Sequence, residues 1–233
     1  MTADEIIDEL RALSDPAKVA DLERYAIKTP KWFGIRVPEL KAFAREVKKL
    51  VADRHATALE LWKSGIYDAR AVAFMIDDPK QVTREQMDAW AADFDNWATV
   101  DGACSYLFCR TPFAYEKAFE WAEREPEFEK RAGFSMMAYL ALHDKKASDD
   151  KLAAFFPIIE KHSNDDRNFV KKAVNWALRQ IGKRNRNLNT LAIATADRIK
   201  LEGTRPAKWI AADALRELAS ATTQERLRRK VDR

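Results

Sequence analysis

Helix-start signals punctuate this chain from end to end, and strand signals do not. Thr2 stands three residues before Glu5, and Thr83 three before Gln86. At that spacing a hydroxyl and a longer polar side chain cap each other's backbone N–H groups. Ser14-Asp15-Pro16, Pro38, Thr111-Pro112 and Ser148 add further N-caps or prolines suited to a first helical turn. Only six Gly interrupt a chain rich in Ala, Leu, Lys and Glu. The pattern predicts helices at about 3–12, 16–26, 38–50, 55–64, 67–77, 84–94, 97–109, 113–123, 127–142, 149–161, 167–182, 188–200 and 206–219. Their short connections make neighbours antiparallel.

With 233 residues, 47% of them hydrophobic, the chain can bury a substantial core. The expected organisation is one helical-repeat domain over 1–222 followed by a basic tail, 223–233, without fixed structure. Against 37 Asp and Glu stand 41 Lys and Arg, a net charge of only +4, so any affinity for a polyanion must come from local clustering. The acidic start "MTADEIIDEL" and the lack of an apolar run of about 18 residues predict a soluble, cytoplasmic chain that does not engage a membrane, and a monomer is expected. Cys104 and Cys109, five apart on one predicted helix, read as reduced packing residues.

An internal rhythm accompanies the helices. "RAVAF" at Arg70, "DGACS" at Asp101, "RAGFS" at Arg131 and "KAVNW" at Lys172 each place a charge before a small residue and an apolar stretch, with starts 31, 30 and 41 residues apart. Such spacings suit stacked HEAT-like hairpins in which the recurring charge lines an inner surface, although an Ala-rich helical chain also produces such starts by chance.

The segment "RNFVKKAVNWALRQIGKRNR", 167–186, holds seven Lys or Arg and no acid. Wound as a helix it turns Val170, Ala173, Val174, Ala177 and Ile181 to one side, and Trp176 to the other in a stripe with Lys172, Arg179 and Lys183. An exposed ring among cations fits a sugar–phosphate surface or a protein interface. Arg131 opens a helix that is otherwise apolar, "AGFSMMAYLAL". A guanidinium there requires an anionic partner, either a neighbouring carboxylate or a bound phosphate.

In "FDNWATVD", residues 94–101, the same projection puts Val100, Ala103, Cys104 and Leu107 in the core and Trp97, Asp101 and Phe108 along its edge. Asp101 therefore lies beside Trp97 at i, i+4, as a hydrogen-bonded structural residue or as a catalyst. His55, His143 and His162 occur without metal-binding or nucleophile motifs, and no Gly-rich loop cradles a nucleotide. Neither metal nor organic cofactor is expected.

"WFGIRVPELK" at 32–41, "NWATVD" at 96–101, Arg131 before its apolar helix and "KKAVNWALRQIGK" at 171–183 together resemble the DNA alkylation repair glycosylases of the AlkD type. The resemblance runs over nearly the whole chain. It implies an all-α superhelical solenoid of antiparallel HEAT-like repeats, with a concave basic face that holds double-stranded DNA. The implied reaction is excision of N3- or N7-alkylated purines by hydrolysis of the N-glycosidic bond. On this sequence the family's catalytic Asp matches Asp101, with Trp97 one turn earlier. Its phosphate-binding Arg matches Arg131, and its second DNA-facing Trp matches Trp176. Many relatives carry an acid directly after the first Trp, where this chain has Ala98. A non-catalytic helical-repeat module, binding nucleic acid or a protein partner, would share every one of these features except the need for Asp101.

Overall fold

Small polar side chains set where the helices begin. In the computed structural model, which describes residues 1–18, 26, 27, 29 and 31–231, Thr2, Asp53, Thr83, Asn96, Ser148, Asn185 and Thr204 each accept a hydrogen bond from a backbone N–H of the following turn. Thr2 and Glu5 complete a reciprocal capping box. The chain groups into two compact units, Met1–Phe113 and Ala114–Arg233, where the sequence reading placed one domain over 1–222. Among the described residues the regular structure is helical, and no helix is long and apolar enough to cross a membrane.

The first unit contains α1 (Ala3–Ala12), α2 (Val37–Leu50), α3 (Arg54–Lys63), α4 (Tyr67–Ile76), α5 (Arg84–Ala92) and α6 (Trp97–Tyr106). A 3-10 turn covers Pro16–Lys18; the rest of the helix expected at 16–26 lies largely outside the described residues. Consecutive α3 and α4 pair, and α4 also packs on both α2 and α6, so alternate helices lie side by side as repeats require. Gly102 makes one of these contacts close, since a Cβ there would stand 2.3 Å from the Phe74 ring of α4.

The connection into α2 explains "WFGIRVP". Gly34 adopts φ +80°, and any Cβ on it would meet the Asp15 carbonyl at 2.4 Å. Asp15 N–H donates to the Phe33 carbonyl at 2.8 Å, and Phe33 N–H donates to the buried Asp68 carboxylate of α4 at 2.7 Å. Burial pushes the Asp68 carboxyl up to about 6, against backbone donors from Phe33 and Ile35 that pull it down. The motif is a pinned turn, and its residues shape the fold.

The second unit contains α7 (Ala114–Ala122), α8 (Glu127–His143), α9 (Asp149–Ala153), α10 (Phe156–Lys161), α11 (Asn168–Gly182), α12 (Arg186–Leu201), α13 (Arg205–Leu218) and α14 (Ala221–Val231). Helix α8 is sandwiched between α7 and α11, and α11 in turn packs on α13. A Cβ on Gly133 would stand 2.3 Å from the Ala122 backbone nitrogen, so this small residue two positions after Arg131 serves close helix packing, as Gly102 does after Asp101. The single helix expected at 149–161 divides, because Pro157 occupies the start of α10 and supplies no N–H donor. The tail expected over 223–233 is instead helical to Val231. Leu227 and Thr223 are buried there, and Gln224 Nε2 donates to Asn189 Oδ1 at 3.0 Å.

Candidate nucleic-acid interface

Helix α6 presents the Trp–Asp pair. Asn96 caps it by accepting from the N–H groups of Ala98 and Thr99, at 3.0 and 2.9 Å, and is itself buried. This fixes Trp97 as the first helical residue and Asp101 one turn on, both partly exposed. Val100, Ala103, Cys104 and Leu107 fill the core as the projection expects. Phe108 departs from it: α6 ends at Tyr106, and the 3-10 turn Phe108–Arg110 swings Phe108 inward, fully buried 6.0 Å from Trp90. Neither cysteine is in a disulfide, and burial raises the Cys109 thiol to about 11, which keeps it protonated at neutral pH.

The rhythm's first charge, Arg70, is structural. Its guanidinium meets the Asp93 carboxylate at 3.3 Å and lies 4.9 Å over the Trp62 ring, joining α4 to α3 and to the end of α5. It is not a free inner-surface cation.

In the second unit Arg131 is 7% exposed and its Nη1 donates to the Phe169 carbonyl in the first turn of α11, at 2.9 Å. This main-chain acceptor was in neither alternative drawn from sequence. Lys172, one turn further along α11, is exposed. Trp176 is half-buried rather than exposed, because Tyr139 of α8 packs edge-on against its ring at 4.9 Å. The helical projection omits such a neighbour, since it knows only the helix's own face.

Arg179 and Lys183, assigned to phosphates with Lys172, already hold carboxylates. Arg179 Nη1 lies 2.7 Å from Glu217 and 3.3 Å from Asp213, and Lys183 Nζ lies 2.6 Å from Glu217. Burial would raise the Glu217 carboxyl, yet the two cations hold it below its ordinary value. Asn175 Nδ2 extends the ladder to Asp213 at 2.7 Å. The absence of acids from 167–186 concealed this, because the partners come from α13.

Sequence reasoning also missed Trp209. This residue of α13 is 41% exposed, and Lys171 Nζ lies 5.6 Å over its ring. "RPAKWIAAD" carried the signal: Trp209 lies off the Ala207–Ile210–Ala211–Ala214 stripe that α13 buries.

A family model described as "DNA alkylation repair enzyme" matches residues 6–218. A protein of Listeria innocua serovar 6a, "Uncharacterized protein Lin0241", is 24% identical over 138 residues, which are 58% of this chain and 61% of that protein. The matched region thus spans about three fifths of the relative's length. A solved structure described as "a new family of proteins related to the HEAT-like repeat DNA glycosylases with affinity for branched DNA structures" superposes with a TM-score of 0.73 at 21% identity, covering 85% of this chain and 83% of that one. That likeness shows the fold, an all-α array of HEAT-like repeats. With the match extending from α1 to the end of α13, this chain belongs to the DNA alkylation repair enzyme family.

Proposed function

We propose that the protein is a DNA glycosylase that hydrolyses the N-glycosidic bond of N3- or N7-alkylated purines in duplex DNA. The observation carrying this reading is the Trp97–Asp101 pair, a partly exposed indole and carboxyl one turn apart on a helix whose start is fixed by a buried cap. Alkylation gives the purine a positive charge, so it departs as a neutral base with little need of a general acid. The charge then develops on the deoxyribose, which becomes oxocarbenium-like. A fixed carboxylate at Asp101 stabilises that cation and orients water toward the anomeric carbon. The Trp97 face adds contact and cation–π attraction. Lys172 and the part-exposed edge of Trp176 serve the sugar–phosphate backbone, with Arg131 bracing the first turn of α11 beneath them. Arg179 and Lys183 add to this surface to the extent that phosphates displace Glu217.

Purified protein incubated with methylated duplex should release 3-methyladenine or 7-methylguanine, scored chromatographically. Binding without release would instead support the second reading, a non-catalytic DNA-binding module. That reading is favoured by the affinity for branched DNA ascribed to the similar solved structure.

A further inference from the structure

Helix α2 carries a second row of cations that the catalytic reading leaves unused. Pro38, Lys41, Arg45 and Lys48 follow each other at three, four and three residues, one exposed stripe flanking the buried Leu40, Ala44 and Val47. From Lys41 to Lys48 it runs about 10 Å along the helix axis. The stripe borders a cleft of about 470 Å³ whose floor is Met75 of α4 and Tyr106 of α6. Lys41 Nζ lies 5.6 Å over the Tyr106 ring, which stacks on Phe74 at 5.8 Å.

Unlike Arg179 and Lys183, the three cations have no carboxylate in salt-bridge contact among the described residues. Glu46, the acid nearest in sequence, is turned to the other side of α2 and pairs with Lys49 at 2.9 Å. Arg54 and Arg110 add to the positive field: burial first, then these two charges, hold the Lys48 ammonium below its ordinary value. A row of uncompensated cations beside an aromatic and apolar floor is the arrangement that tracks a nucleic-acid backbone while leaving room for bases or sugars. The cleft is too small to admit a duplex, whose bases are in any case stacked and paired.

We propose that this cleft binds the phosphodiester backbone of single-stranded DNA, with Lys41, Arg45 and Lys48 on successive phosphates and Tyr106 and Met75 under a sugar or unpaired base. The proposal rests on DNA being the partner and not on base excision, so undamaged strands test it.

The experiment compares wild type with the triple variant Lys41→Ala/Arg45→Ala/Lys48→Ala, and with Tyr106→Leu. Binding is measured to a 20-nucleotide oligothymidylate, to a duplex of equal length and to thymidine monophosphate, across a salt series. Thermal melts establish that each variant is folded. The triple variant should lose about thirtyfold in single-strand affinity and about 2 units of the slope of log K against log salt, while duplex affinity changes less than about threefold. Tyr106→Leu, which keeps the apolar packing on Phe74, should weaken single-strand binding roughly fivefold with the slope unchanged. Equal losses on strand and duplex would make the stripe part of a duplex surface and overturn the proposal. So would unchanged binding, a wild type that ignores the oligonucleotide, or mononucleotide affinity equal to that of the strand. Base release from methylated duplex is scored separately, so a failure of excision leaves these outcomes readable.

Discussion

Glu217 is the residue on which the second unit's charge turns. It accepts from Arg179 and Lys183 at 2.7 and 2.6 Å, and with Asp213 it cancels both cations of the stripe. Replacing it by Gln keeps the shape and frees one unit of positive charge. If this face serves DNA, Glu217→Gln should bind duplex about fivefold more tightly and steepen the salt slope by roughly one unit. Unchanged or weaker binding in filter or anisotropy titrations would remove this ladder from the interface. Trp176 makes the complementary case. Truncation to Ala forfeits its edge-on contact with Tyr139, so the unfolding free energy should fall by about 1–2 kcal/mol. Duplex affinity should fall about tenfold with it. A loss above about 3 kcal/mol with normal DNA binding would mark the ring as core.

At the scale of elements, the turn ahead of α2 carries a pH dependence of known sign. Asp68 is fully buried at the start of α4, and burial lifts its carboxyl from 3.8 to about 6. In the unfolded chain it ionises near its ordinary value, so between about 4 and 6 the folded state holds the extra proton. Stability from this group is therefore greatest below about 4 and is lost as pH rises to about 6, a swing of roughly 3 kcal/mol. Asp68→Asn does not titrate. Denaturant melts should show its stability relative to wild type rising across this window, whereas a difference independent of pH would contradict the assignment. Elements were also what the sequence disclosed best. Thr2, Thr83 and Ser148 act as the caps their spacing implied, because a cap depends only on residues within one turn. Pro157 inside the stretch expected as one helix was the readable exception, and the burial of Phe108 followed from where α6 stops.

At the scale of the whole molecule, repeats put alternate helices side by side, and that is where one-helix reasoning fails. Arg70 was read as a charge lining an inner surface, Arg131 as a cation needing an anion, and Arg179 and Lys183 as cations of a sugar–phosphate surface. The groups they meet, Asp93, the Phe169 carbonyl, Asp213 and Glu217, belong to other parts of the chain 23 to 38 residues away. The stripe of α2 escaped notice for the same reason, since its meaning depends on Tyr106 of α6. Trp97 and Asp101 were legible because one helix holds both. The family's reach from residue 6 to 218 supports reading that pair as chemistry. Its most direct test is single-turnover release of 7-methylguanine from methylated duplex by wild type and by Asp101→Asn, with duplex affinity measured alongside. Removing the charge at nearly constant shape should slow release about a hundredfold, roughly 3 kcal/mol of transition-state stabilisation, and leave affinity within about twofold. An Asn variant that releases the base as fast as wild type would contradict the role given to Asp101.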